Sequence, residues 1–298
     1  MDRRTFLKAS AVSAAAAAAG IAAERVSRVY DYKGSDAYTV VKRLVKENSL
    51  LNGVIRSGSR VLIKPNMSFS NRPEEGTTTH PGVVKAVAEM CLDAGAKTIV
   101  IFDNVLRNEK LCRKNTGIED AVSGMSGVHI LITDRKSDFR DVKVERAKAL
   151  TETEVCQEFF KADAFINLPT AKSHSAADVS LGMKNLMGVL RRRKRFHFEF
   201  SSLNDAIADL PLAAAPALTI IDCKYVLLDG GPAGPGKVQK ADRYTASKDI
   251  AAVDAYTAEL FRWNGRKRSA SEIRHIAAAG EAGIGNIDTK KMEIIHGT

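Results

Sequence analysis

At 298 residues, with 45% hydrophobic and 27% charged side chains, the chain can enclose a full core and is not a disordered tail. Its formal net charge of +10 favours anionic partners without naming one. The four cysteines are scattered, with no C-x-x-C pair and no Cys–His cluster, which excludes an intrinsic iron–sulfur or structural zinc motif.

The chain opens on Asp2-Arg3-Arg4-Thr5-Phe6-Leu7-Lys8, followed by an alanine-rich run to Ala23. Paired arginines, a weakly apolar stretch and small residues form a twin-arginine signal peptide over 1–23. The run is shorter than the roughly 20 apolar residues that span a bilayer, so it reads as an export signal and not an anchor. The expectation is handling by the twin-arginine translocase and a periplasmic or other extracytoplasmic location. The remaining 24–298 reads as a single α/β domain. Cys91 and Cys223 lie in apolar runs and read as core, while a disulfide stays open in an oxidising compartment.

Ser35 is placed to cap a helix over 35–49, with Tyr38, Val41, Leu44 and Val45 inward. A short apolar strand over 60–64 ends at Pro65-Asn66, and a polar loop leads to His80. Pro81 opens a helix over 81–95, at the turn where proline is favoured. A strand over 97–102 ends at Asp103-Asn104. A helix over 118–125, a strand over 128–133, an edge strand over 140–145 and a helix over 152–160 follow. Next come a strand over 164–168, Pro169, and then Lys172 and His174, which share a side if the alternation persists. The spacing beyond them predicts a helix. Val179, Met183, Leu186, Met187 and Leu190 form its apolar stripe; Ser180, Lys184, Gly188 and Arg191 form a small polar face suited to a cleft. Ser201 or Ser202 caps a helix to Leu210. Strands over 218–222 and 225–229, a glycine–proline loop, helices over 249–263 and 271–279 and a strand over 291–295 complete the chain.

Alternating short strands and amphipathic helices predict an α/β fold, Rossmann-like, with a mostly parallel sheet and helices on both faces. Ligands of such sheets sit beyond the carboxyl ends of the strands. The polar residues there are Lys64, Asn66, His80, Asp103, Asn104, Lys172, His174, Asp222 and Asp229. Thr77-Thr78-Thr79-His80 before a helix suits either plain capping or an anion. The stretch from Gly231 to Lys237 spells G-P-A-G-P-G-K. Two prolines remove N–H donors, and Val238 stands where a phosphate loop needs Ser or Thr, so it reads as a rigid cleft wall. The basic run from Arg191 to Arg195 reads as a solvated helix end or a rim for an acidic substrate. Nucleic acid is not expected, since no matching fold signature is present. Asp249 reads as an N-cap. No H-E-x-x-H, G-x-S-x-G or G-x-G-x-x-G occurs.

Several pieces occur in a telling order: Ile63-Lys64-Pro65-Asn66, Thr78-Thr79-His80-Pro81, Asn167-Leu168-Pro169 with Lys172-Ser173-His174, and Met183-Lys184-Asn185-Leu186-Met187-Gly188. Gly231-Pro232 and Ser247-Lys248-Asp249-Ile250-Ala251-Ala252-Val253-Asp254 follow. This set resembles the family called domain of unknown function 362, over roughly 59–261. Many of its members carry a bacterial-type ferredoxin domain, whose cysteines this chain lacks. The chain is also similar to the nickel-pincer lactate racemases, which place a His ten residues before a Lys as His174 and Lys184 are placed. There the Lys holds the cofactor and the His exchanges a proton. Asp103-Asn104 stands where those enzymes have a second catalytic His, and His197 only approaches their nickel-ligand position. That likeness implies common ancestry, not a shared cofactor; cofactor and metal stay open.

The expected function is an enzyme acting on a small anionic substrate by proton or hydride movement, as a racemase, epimerase or oxidoreductase. His174 would be the general acid–base, and Lys184 would bind the anion or act as a neutral amine. Asp103 or Asp222 would orient the imidazole. Lys64, Asn66, Thr79, His80, Lys172 and Asn185 would surround the substrate. The alternatives are a non-catalytic binder of an anion or metal complex, and an accessory module beside an iron–sulfur redox partner.

Overall fold

The computed structural model describes residues 26–193, 196 and 202–298. The signal segment, His197, Ser201 and the basic residues Lys194 and Arg195 lie outside the described residues.

Fourteen strands are described: β1 (Arg28–Lys33), β2 (Arg60–Pro65), β3 (Thr98–Phe102), β4 (Val128–Leu131), β5 (Phe139–Lys143), β6 (Glu152–Cys156), β7 (Ala164–Leu168), β8 (Thr170–His174), β9 (Asp178–Ser180), β10 (Leu218–Leu227), β11 (Val238–Ser247), β12 (Arg262–Trp263), β13 (Arg266–Lys267) and β14 (Glu293–Gly297). Ten of them form one sheet in the order β14-β1-β11-β10-β7-β2-β3-β4, with β8 joined to β10 and β9 joined to β8. From β10 to β4 the main path is parallel. β11 runs antiparallel between β10 and β1, and β14 is parallel to β1. The fold is therefore α/β with a mostly parallel sheet.

Alternation along the central strands supplies two cores. Val61 and Ile63 of β2 face one cluster, with the helices Ala37–Glu47 and Pro81–Asp93. Leu62 faces the other, with the helices Leu203–Ala213, Ile250–Leu260 and Arg274–Glu281. A strand covered on both sides reads as a near-continuous apolar run, as β2 and β7 do. The helix caps are local. Asp36 Oδ1 accepts from Thr39 N at 2.7 Å, and His80 Nδ1 accepts from Gly82 N at 3.1 Å.

β2 has β3 on one side and β7 on the other, so the chain direction across the sheet reverses between β2 and β7. Pro65 and Leu168 are paired at the carboxyl ends of these strands. Such a reversal leaves a crevice above the strand ends.

Several expected elements differ. The 152–160 helix is strand β6 followed by a short helix, Gln157–Lys161, because residues 152–156 pair with β5 in a separate two-stranded sheet. The edge strand near 140–145 is that partner. The helix expected beyond His174 begins later and is irregular: Asp178–Ser180 is a strand paired with β8, and the helical part is one α turn, Gly182–Asn185, and a 3-10 turn, Leu186–Val189. Its two stripes are both buried, from Val179 to Leu190, so helical spacing there marked no solvent face. The 218–222 and 225–229 strands are one strand, β10, with an irregularity between Cys223 and Tyr225. The 118–125 helix is shorter, Ile118–Val122, and a helix before it, Glu109–Thr116, went unread; Gly117 with φ 68° separates the two. β1 and β11 went unread, since their polar residues disguise strands held by sheet neighbours. Ser202 is the cap of Leu203–Ala213, and Asp249 caps Ile250–Leu260.

The loop after β5 is held to the second core by one carboxylate. Asp209 accepts from Lys148 N, Ala149 N and Leu150 N at 3.1, 2.7 and 2.9 Å. Asp209→Ala strands these donors and is expected to cost about 3 kcal/mol. Chemical denaturation should show a lower midpoint with an unchanged slope.

Candidate functional site

The crevice at the β2–β7 reversal is a cleft of about 130 Å³. That is room for several waters or one small organic molecule. Five of the residues expected at the site line it: Asn66, Lys172, His174, Lys184 and Asn185. Arg193, Ser68, Phe69, Ser180, Met187 and Pro232 complete much of the wall. A larger hollow of about 470 Å³ lies at the opposite end of β2, among loop residues such as Arg56 and Ser57 and beside Asp163. It gathers no comparable set of titratable groups.

Lys64 and Asp103 form the floor. Lys64 Nζ lies 3.0 Å from Asp103 Oδ1, an ion pair without hydrogen-bond alignment. The ammonium donates to Pro65 O at 2.5 Å and to Asn185 Oδ1 at 3.2 Å. Asp103 Oδ2 accepts from Met67 N and Ser68 Oγ at 2.8 and 3.1 Å. Burial pulls the Lys64 ammonium down to about 8, and Asp103 opposes that shift. Asn185 Nδ2 donates to Asn167 Oδ1 at 2.8 Å, and Asn167 Nδ2 donates to Gly182 O at 3.0 Å. Asp254 closes the chain by accepting from Gly182 N and Met183 N at 2.6 and 2.8 Å. Burial raises the Asp254 carboxyl to about 7, against the pull of those two donors.

The cleft walls are cationic. Among the described residues, Lys184 Nζ donates only to the Met187 thioether, at 2.9 Å, which is a weak acceptor. Burial first, then the Arg193 charge, lowers its ammonium to about 7. Lys172 Nζ donates to Thr77 O at 2.6 Å and lies 4.6 Å from the centre of the Phe69 ring. Burial and then Lys184 push it well below the usual lysine range. Arg193 Nη1 donates to Ser68 Oγ at 3.1 Å, while its buried Nη2 has no hydrogen-bond partner among the described residues. The carboxylate that opposes these shifts, Asp103, is already paired with Lys64.

His174 Nδ1 accepts from Ala176 N at 3.1 Å, which leaves Nε2 to carry the proton of the neutral ring. The imidazole is thus oriented by a backbone N–H of its own hairpin. Neither carboxylate expected in that role is spent on it in these contacts. Asp103 serves Lys64, Met67 and Ser68, and Asp222 accepts from His80 N and Lys224 N at 2.7 and 2.9 Å. His80 and Asp222 form a separate group, whose burial lowers the imidazole and raises the carboxyl. Thr79 is a fastener: its hydroxyl donates to Leu168 O at 2.7 Å and accepts from Asn66 N at 2.8 Å, tying the ends of β2 and β7. The glycine–proline loop does form a wall through Pro232, and Gly231 N donates to Ser173 Oγ at 3.0 Å.

Arg193 was missed because a run of basic residues suggests solvent. Arg191 follows that reading in part, pairing with Glu154 at 3.3 Å, whereas Arg193 turns inward and is 8% exposed. Ser68 and Phe69 lay in a loop without periodicity. Among the described residues no three His, Cys, Asp or Glu side chains are grouped to hold a metal ion. Cys91, Cys112, Cys156 and Cys223 are free and buried; burial raises the first three to about 12, 11 and 12.

Two outcomes follow from these contacts. A Cβ on Gly188 would sit 2.2 Å from both Asp103 Oδ1 and Lys64 Cε. Gly188→Ala should therefore destabilise the protein by about 2–3 kcal/mol, read from its urea midpoint. Lys184→Met should act in the other direction. Native Lys184 titrates near 7 and the unfolded residue near its ordinary 10.5, so between these values the unfolded chain binds more protons. Stability of the parent then rises with pH across that window, and the burial penalty is full below it. The variant is expected to be more stable than the parent by ~2 kcal/mol at pH 6. That advantage should shrink towards pH 10, as followed by denaturation at a series of pH values.

A twin-arginine translocation signal model matches residues 1–20, so the protein is handled by that translocase and exported to an extracytoplasmic location. No helix among the described residues is long and apolar enough to cross a membrane. A thylakoid-associated protein of Synechocystis is 24% identical over 242 residues, which cover 79% of this chain and 73% of that protein. The lactate racemase apoprotein of Thermoanaerobacterium thermosaccharolyticum superposes with a TM-score of 0.49 at 13% identity, over 77% of this chain. The chain spans 57% of that racemase's length. The family model described as domain of unknown function (DUF362) matches residues 61–259, and with that match the chain belongs to the DUF362 family.

Proposed function

We propose that the cleft binds a small carboxylate-bearing molecule and that Lys184 and His174 move a proton at the carbon beside the carboxylate. The observation that carries this reading is the buried cationic wall. Among the described residues, Arg193 has an unsatisfied guanidinium nitrogen and Lys184 has only a thioether acceptor. Buried donors without acceptors are costly, and a carboxylate would satisfy them. In this reading Arg193 receives the carboxylate through its planar fork.

Lys184, lowered to about 7, supplies a neutral amine to accept the proton. His174, which lines the same cleft and whose Nδ1 accepts from Ala176 N, serves as the general acid toward the substrate oxygen on which charge develops. Neither group needs a resident metal to do this. The chemistry is reversible: the C–H electrons move toward the oxygen that His174 protonates, and return of a solvent proton to the opposite face of the carbon, with the oxygen proton given back, completes racemisation or epimerisation.

The test uses purified exported protein and a panel of small 2-hydroxy and 2-amino carboxylates. Thermal shift reports binding, and loss of the α-proton signal in heavy water reports exchange. His174→Ala and Lys184→Met are each expected to slow exchange by roughly 100-fold or more. Exchange by His174→Ala at the parental rate would remove the proposed chemistry. Stabilisation by a carboxylate without any exchange would favour a binding protein instead.

A further inference from the structure

We infer that the ligand of this cleft is a compact dianion, a small dicarboxylate, with one carboxylate on Arg193 and the other on Lys172. This rests on the reading of the cleft as an anion site and adds the charge class of its occupant.

Two buried donors in the confined cleft, on Arg193 and on Lys172, want acceptors among the described residues. Lys64 and Asp103 neutralise each other on the floor at 3.0 Å. The remaining wall carries Arg193, Lys172 and Lys184, with His174 among them, and all four line the same cleft of about 130 Å³. Lys184 is the group that can stand neutral near pH 7. Arg193 keeps its charge, since a guanidinium is not deprotonated in proteins. Lys172 is the residue left over. It is 1% exposed, and its amine touches only the Thr77 carbonyl and the Phe69 face in the described contacts. A monoanion on Arg193 would leave the buried Lys172 amine with the Thr77 carbonyl as its one hydrogen-bond acceptor among the described residues. A second negative group meets its remaining donors and draws a proton onto the amine.

Other polar atoms of the wall suit the same ligand. Ser68 Oγ bridges Arg193 Nη1 and Asp103 Oδ2, so the guanidinium is held in place before a ligand arrives. Ser180 is paired directly with Lys172 across the hairpin and brings a hydroxyl to the cleft beside it. Preorganised donors of this kind favour a ligand whose two charges are close together and rigidly spaced.

Calorimetry at pH 8 in low-chloride buffer tests this, with acetate, malonate and inorganic phosphate as probes and two buffers of different ionisation enthalpy. Malonate is expected to bind roughly tenfold or more tightly than acetate. Malonate should take up a proton on binding, whereas acetate should take up much less. Lys172→Met should abolish both the malonate preference and the uptake. Tight malonate with weak phosphate supports the inference, and phosphate binding more tightly than malonate overturns it. Acetate binding as tightly as malonate, without proton uptake, overturns the inference and leaves the anion site standing. If none of the three binds the unmutated protein, the inference fails together with the anion site itself. The wild-type comparison decides even if the variant fails to fold.

Discussion

The buried pair of Lys64 and Asp103 joins three parts of the chain that local structure would leave apart. Lys64 ends β2, Asp103 follows β3, and Gly188 presses against both from the 3-10 turn. Because a Cβ at Gly188 has no room, the turn bearing Lys184 approaches the strand ends more closely than any other residue would permit. A buried ion pair is poor evidence of net stabilisation, because desolvation offsets attraction. Its consequence here is positional: it places one neutralised charge pair under a wall of cations.

The network above this floor gives the cleft its rigidity. Asp254 holds the start of the turn, Asn167 of β7 holds Gly182 O, and Asn185 links Asn167 to Lys64. Each member satisfies a donor or acceptor of the next, so Lys184 sits on a segment tied to two strands and a helix. A half-satisfied network of this depth would be costly. Beside the cleft, Arg193 Nη2 has no hydrogen-bond partner among the described residues, and Lys184 meets a thioether there. Twin-arginine export suits such a site, since that route carries proteins already folded and with any cofactor in place.

Part of this was legible from residue order. Strand-end polar residues, read with the rule that parallel sheets bind ligands beyond their carboxyl ends, pointed to Asn66, Lys172 and His174. The same rule swept in His80 and Asp222, which serve the neighbouring β10 edge and each other. Thr79 had the right position and a different use, since its hydroxyl is consumed by the backbone of β2 and β7. The stretch after His174 was legible in part. Its helical spacing is met by the turns Gly182–Asn185 and Leu186–Val189, while residues 178–180 are taken by pairing with β8 and both faces of the turns are buried.

The sequence by itself determined the export signal, the α/β class, the two-sided central strands and the identity of the histidine and lysines near the crevice. These are properties of short windows: paired arginines, apolar periodicity, a proline at a helix start. Only the tertiary structure decided that Arg193 turns inward and that Asp103 belongs to Lys64. Those outcomes depend on which distant groups share a buried space, and the electrostatic cost of burial is set by the whole packed neighbourhood rather than by neighbours along the chain.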